Sequence, residues 1–222
     1  MNNEDKNIEL IKRFRLTANV DDRTFHNGVE YVDLCLPSGL KWAAMNVGAK
    51  HIEDDGLYFQ WGDTQGYTMG QIYNKDKSFE AASYKFVDNN AHAFIKYTTD
   101  DNKVKLDLED DAAHVHLGGS WRMPTTEEAK ELINHTFKEI KFVNGVIGTK
   151  FISAKDINKW IFIPYCGDAR LNSIFHKYLR GYIWTSTAYC CNGFSDALGV
   201  DRIYTQNTYF SRYRGFQVRG VF

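Results

Sequence analysis

The clearest local signal in the chain is a helix start. Thr125-Thr126-Glu127-Glu128 follows Pro124. Thr125 and Glu128 stand at the spacing of a capping box, in which a hydroxyl and a carboxylate each satisfy a backbone N–H that the first helical turn would leave unpaired. Beyond it Ala129, Leu132, Ile133, Thr136, Phe137 and Ile140 recur at helical spacing. The pattern predicts a surface helix with one buried face, continuing to about residue 140.

The rest of the chain reads as short runs punctuated by glycine. Glu30 to Leu36 alternates as a strand, with Tyr31, Asp33 and Cys35 on one face and Val32, Leu34 and Leu36 on the other. Pro37-Ser38-Gly39 is a turn, and Leu40 to Val47 is the returning strand. An aromatic stretch, Leu57 to Trp61, ends at Gly62. Trp160 to Ile163, Tyr182 to Thr187 and Phe216 to Val221 are further short strands. Glu109 to Leu117 forms a second short helix, its acidic start suited to the positive end of the helix dipole and Gly118-Gly119 stopping it. Residues 63 to 105 are polar and loop-like, with room for one short helix around Phe79 to Phe86; so long a loop is usually functional or family-specific. These elements imply an α+β fold of short antiparallel strands, two main helices and long loops. Residues 1–24 read as a tether or short helix, and 25–222 as one domain.

Composition bounds the partners. A formal charge of −1 offers no basic field for nucleic acid. No apolar run is long enough to span a membrane, so no direct insertion is expected. The N-terminus, Met1-Asn-Asn-Glu-Asp-Lys, lacks the apolar core of a signal peptide, so the chain is expected to be made as a soluble protein. Its final location stays open, virion-associated or cytoplasmic before assembly. Cys35, Cys166, Cys190 and Cys191 contain no C-x-x-C pair and read as free thiols. Asp107, Glu109, Asp110 and Asp111 could hold calcium, but pairing of Asp110 or Asp111 with Arg122, or helix capping, is the plainer reading. His114 and His116 lie two apart and face apart on a helix. Without a phosphate loop or a Gly-x-Ser-x-Gly elbow, no enzyme, catalytic residue, metal or cofactor is expected.

Several segments together resemble a known family: Val32-Asp-Leu-Cys-Leu-Pro-Ser-Gly-Leu-Lys-Trp42, Asn46-Val-Gly48, Tyr58-Phe-Gln-Trp-Gly62, Asp110-Asp-Ala-Ala113, Gly118-Gly-Ser-Trp-Arg-Met-Pro-Thr125, Ile161-Phe-Ile-Pro164, Trp184-Thr-Ser-Thr187 and Arg212-Tyr-Arg-Gly-Phe-Gln-Val-Arg219. The ordered set, spanning roughly residues 29 to 222, resembles paralogous bacterial domains of the C-type-lectin fold, distantly related to formylglycine-generating enzymes. The adjacent Cys190 and Cys191 do not match the cysteine pair used by those enzymes. The C-terminal end resembles the variable proteins of diversity-generating retroelements, a group that includes phage receptor-binding proteins such as the major tropism determinant. In that family a reverse transcriptase randomises adenines near the gene's 3′ end, mostly in AAC codons, whose products exclude Lys, Glu, Gln, Met and Trp.

From Ala188 to Arg214 there is no Lys, Glu, Met or Trp, and a single Gln, Gln206. The resemblance therefore implies a ligand- or receptor-binding display protein with a variable region at about 188–214. Its contact residues would be Tyr189, Cys190, Cys191, Asn192, Phe194, Ser195, Asp196, Arg202, Tyr204, Asn207, Tyr209, Phe210, Ser211, Tyr213 and Arg214. Tyr, Ser, Asn and Arg are also the vocabulary of antibody paratopes. Arg212, Gly215, Val218 and Arg219 match fixed family positions, and Trp184, Ala197 and Val221 belong to the core. Stability is thereby assigned to the earlier part of the chain, and the closing segment is left free to change its contacts. The partner would be a protein or glycan on a target surface, and the chain could be an oligomer. The alternatives are a non-diversified surface or carbohydrate-binding module, and a phage tail or fibre subunit assembled through residues 1–24.

Overall fold

The computed structural model describes residues 23–88, 90, 93–189 and 193–222. The expected tether or short helix over residues 1–24 lies almost wholly outside them. The α+β expectation is overturned. Among the described residues thirteen strands form five small antiparallel sheets; strand accounts for 39% of these residues and helix for 13%, so the fold is predominantly β. Instead of two main helices, the described residues hold three short ones, Met69–Tyr73, Ala112–Leu117 and Thr126–Asn134.

The first sheet joins β1 (Thr24–His26), β2 (Val29–Val32) and β3 (Trp42–Ala43). The expected hairpin is present, with Tyr31 opposite Ala43 and Val32 opposite Trp42, but both strands are shorter than the alternation suggests. Cys35 takes a positive φ of 56°, which breaks the first strand. The turn over residues 36–39 forms as expected, closed by the Gly39 N–H donating to the Leu36 carbonyl at 2.9 Å. The minor sheets are β4 (Val87–Asp88) with β5 (Ala93–Phe94), and β9 (Asp168–Arg170) with β10 (Ser173–Phe175).

The helix Thr126–Asn134 starts on its capping box as read: Thr125 accepts the Glu128 N–H and Glu128 accepts that of Thr125. It stops six residues before the expected end. The Thr136 hydroxyl donates to the Leu132 carbonyl at 2.5 Å, and the chain leaves as β6 (Thr136–Val143). This strand pairs with β7 (Val146–Ser153), which pairs with β8 (Trp160–Pro164). Phe137 and Ile140, expected on the buried helix face, are exposed strand residues.

The last sheet, β11 (Arg180–Ala188), β12 (Phe194–Asp201) and β13 (Thr205–Ser211), organises the core. Alternate residues of β11 and β12 enter two apolar clusters. Ile183, Leu198 and Val200 pack with Ile147, Phe151, Ile161 and Ile163 of the neighbouring sheet and with Ala129 and Leu132 of the helix. Tyr182, Trp184 and Ala197 pack with Phe59, Trp61, Phe216 and Val218 on the other side. Trp61 and Trp184 each bury an indole N–H that donates to backbone, to the Thr185 carbonyl at 2.8 Å and the Phe59 carbonyl at 2.9 Å.

Residues 215–222 do not form the expected closing strand. They make single bridges to five separated places: Gly215 to Ala169, Phe216 to Phe59, Gln217 to Ile183, and Val221 to both Trp42 and Arg122.

Candidate ligand-binding surface

The β12–β13 hairpin runs in unbroken register from Phe194 opposite Ser211 to Val200 opposite Thr205. Its turn is set by Asp201, whose Oδ1 accepts the N–H groups of Ile203 and Tyr204, each at 2.7 Å. Arg202, Ile203 and Tyr204 are exposed there, Tyr204 at 61%. Because the side-chain period is two, one face of β13 carries Gln206, Thr208 and Phe210 and the other Asn207, Tyr209 and Ser211.

At the far end of the hairpin three aromatics gather. Tyr189 and Tyr209 stack with ring centroids 4.2 Å apart and planes 16° apart. Phe194 stands edge-on to Tyr209 at 5.9 Å. Tyr209 is 51% exposed and Phe194 37%, so the cluster forms an outward patch. Tyr189 also lines a groove of about 360 Å³, whose other wall is Tyr97, Thr98, Thr99, Asn102, Lys103 and Val104. A second groove, about 310 Å³, lies on the opposite face of β13 between Tyr204, Gln206, Thr208 and Phe210 and the side chains of Arg180 and Tyr182. A third groove, about 780 Å³, lies elsewhere, between the β1–β2 hairpin and Asp156–Trp160.

The remaining site residues are held more firmly than the sequence reading assumes. Ser195 is fully buried, its hydroxyl accepting the Arg212 Nε–H at 2.9 Å, so it is scaffold and not contact. Asp196 accepts the Thr126 hydroxyl at 2.7 Å, and Asn207 Nδ2 donates to the Thr126 carbonyl at 2.9 Å. Both tie the hairpin to the helix start. Phe210 is half-buried, edge-on to Tyr182 at 5.1 Å and to Phe216 at 4.9 Å, with Arg214 5.2 Å over its ring. Tyr213 is half-buried against the core, and its carbonyl accepts from Gln60 Nε2 at 3.1 Å. Arg214 lies 3.8 Å from the buried Asp168 carboxylate, which also accepts from Arg170 and His176. Burial, then the neighbouring Arg170, pulls the Arg214 guanidinium below its ordinary pKa. Ser211 is half-buried. Cys190, Cys191 and Asn192 lie outside the described residues; Cys35 and Cys166 are free thiols.

The positions expected to be scaffold are buried: Trp184, Ala197, Arg212, Gly215, Val218, Arg219 and Val221. Arg212 lies 4.6 Å over the Trp61 ring and donates from Nη1 to the Tyr97 carbonyl and from Nε to the Phe194 carbonyl. One buried cation thus fastens the groove wall to the hairpin. Gly193 sits beside it with φ of 86°; a Cβ there would come within 2.7 Å of the Phe94 ring.

The groove wall itself, residues 97–104, falls within the long loop that sequence reasoning leaves unassigned. Its anchor is Tyr97, whose hydroxyl donates to Asp110 Oδ2 at 2.6 Å. Among the described residues Asp107, Glu109 and Asp110 form the one acidic group with metal-like spacing. Lys96 donates to Glu109 and Asp110 and lies 2.9 Å from Asp107 Oδ2; Lys85 pairs with Asp110 and Lys103 with Asp107. Ammonium groups therefore occupy the positions a calcium ion would take. Hydrogen bonds from Lys103 and Lys96 hold the Asp107 carboxyl down to about 2. Burial alone would lower Lys96, but its bonds to Asp110, Asp107 and Glu109 win and raise it.

Asp111 caps the helix Ala112–Leu117, accepting the His114 N–H at 2.9 Å, and also accepts that of Met123. Arg122 pairs with Glu128 and not with either aspartate. His114 and His116 diverge, one to the Trp121 carbonyl and the other to the Thr64 carbonyl.

No protein family, curated protein or solved structure matches the chain.

Proposed function

We propose that the chain is a ligand- or receptor-binding display protein whose segment around residues 188–214 is diversified by a retroelement. The observation that carries this reading is the outward Tyr189–Tyr209–Phe194 cluster, set beside a groove at the end of a hairpin whose middle residues Ala197, Leu198 and Val200 are held in the core. Exposed aromatic clusters mark interfaces, and buried Tyr is enriched among contacts that dominate binding. Position along the hairpin gives such a surface its physical basis: the end at Phe194 and Tyr209 and the turn at Tyr204 reach solvent, while the residues between them on β12 enter the core. Tyr209, Tyr204 and Phe194 can change without opening a core cavity, whereas Leu198, Ala197 and Val200 cannot.

The partner class is a protein or glycan exposed on a target surface. Sequencing the native locus tests the reading. The expected result is a near-identical repeat that differs from the gene at adenines within codons 188–214, beside a reverse transcriptase gene. A locus without such a repeat, with tails identical between strains, overturns diversification and leaves a fixed surface or carbohydrate-binding module, which glycan-array binding would identify.

A further inference from the structure

The β6–β7–β8 sheet ends on β6, whose outer side no other described strand covers. Its turn is Asn144-Gly145, with positive φ at both residues, 47° and 83°. That is the type I′ connection, which makes Val143 and Val146 a hydrogen-bonded pair. By alternation Phe137, Glu139 and Lys141 spend their backbone groups on β7, while Lys138, Ile140 and Phe142 turn theirs outward. The Lys138 ammonium donating to the Thr136 carbonyl at 3.0 Å agrees with this phase. Proteins usually shorten or cover such an edge. Here it is eight residues long and carries Phe137, Ile140 and Phe142 at 61%, 43% and 67% exposure.

The charge pattern selects the occupant. Laid antiparallel on a second copy with Ile140 opposite Ile140, the strand places Glu139 opposite Lys141 twice. Lys138 then meets Phe142 twice, and Phe137 meets Val143. The hydrogen-bonded pairs of the new seam are those of Lys138, Ile140 and Phe142, the residues whose backbone groups already point out. Glu139 and Lys141 fall at the non-hydrogen-bonded pairs, where facing side chains approach most closely. The neighbouring registers that keep this phase set Glu139 against Glu139 or Lys141 against Lys141. We propose that β6 is the seam of a two-fold homodimer in this register, joining two three-stranded sheets into one of six. β7 and β8 separate the seam from the β11–β12–β13 sheet, so both contact surfaces stay open. If the proposed function holds, a multivalent target is then bound with avidity.

Sedimentation analysis of the full chain over roughly 1–300 µM, a range suited to a seam smaller than a standard interface, tests this. The wild type is expected to pass from monomer to dimer. Glu139→Lys, and separately Lys141→Glu, should weaken association at least about tenfold. The double variant Glu139→Lys with Lys141→Glu should restore it. Ile140→Pro, which removes an outward N–H and no β7 bond, should also abolish it. Circular dichroism melts confirm that each variant is folded. A wild type monomeric throughout, a dimer indifferent to Glu139→Lys and Ile140→Pro, or a charge swap that fails to restore association overturns the proposal.

Discussion

The closing segment contains two stretches that treat their side chains in opposite ways. From Phe194 to Ser211 the chain is a regular hairpin, and its outer strand leaves Tyr209 and the turn residue Tyr204 in solvent. From Arg212 to Phe222 there is almost no regular structure, yet Arg212, Phe216, Val218, Arg219 and Val221 are all buried to within 1%. The second stretch bridges to strands and loops from Trp42 to Ile183. Regularity and burial are thus decoupled. The expectation that stability resides in the earlier part of the chain is corrected: the final residues tie its sheets and loops together, and the freedom to vary is confined to one edge strand, its turn and the aromatic cluster.

The largest test of that contrast is Phe216→Ala. Its ring stacks on Tyr182 at 4.6 Å and lies 4.3 Å from Trp184, so the cavity should cost about 3–5 kcal/mol in urea unfolding. A loss under about 1 kcal/mol would erase the distinction between the stretches. Arg212→Ala should cost about 2–3 kcal/mol, because it strips a donor from the buried Tyr97 carbonyl and one from the part-buried Phe194 carbonyl. It should also raise amide exchange at residues 97–104; unchanged exchange there would mean the groove wall is held by something else. Tyr209→Ala should change stability by no more than about 1 kcal/mol while weakening binding to an identified ligand by about tenfold or more. Unaltered binding would remove the aromatic cluster from the contact surface.

The smallest effect is expected from acid. Asp107 is held at about 2 in the fold against 3.8 ordinarily. A depressed carboxyl stabilises above its unfolded pKa and loses that contribution as pH falls through the folded value. Exchange protection of the 97–110 loop should therefore hold down to about pH 4 and decay towards pH 2. Asp107→Asn should flatten that decay.

Part of the scaffold was legible from residue chemistry: the Thr125 capping box, the turn over residues 36–39, and the strand face that groups Leu34 with Leu36; Arg212 and Arg219 are assigned to the scaffold only through the resemblance. The helix overran because Ile133, Phe137 and Ile140 keep helical spacing across the point where Thr136 takes the Leu132 carbonyl. Asn144-Gly145 was the signal that could have revealed the hairpin beyond it. The helix Met69–Tyr73 had its own marker, a Thr68–Gln71 capping box inside a stretch taken for loop. The class error follows from these misreadings: strands of two or three residues leave little periodicity, and one overlong helix inflates the helical share. At the proposed contact surface the exposed Phe194, Tyr204 and Tyr209 could be anticipated through the resemblance. The burial of Ser195 and the wall at 97–104 could not, because both depend on where Arg212 reaches through the interior.

Gly193 gives the hairpin a genetic consequence. A side chain there would be strained at a φ of 86° and would press within 2.7 Å of the Phe94 ring, so under the proposed function a mutator reaching this codon would disturb the surface it varies. A glycine codon is GGN, with guanine at both informative positions. A polymerase that errs only opposite adenine leaves it coding for glycine in every copy. If the proposed function holds, this strained joint of the hairpin would thereby be shielded by the spelling of its codon, with no need for repair or selection.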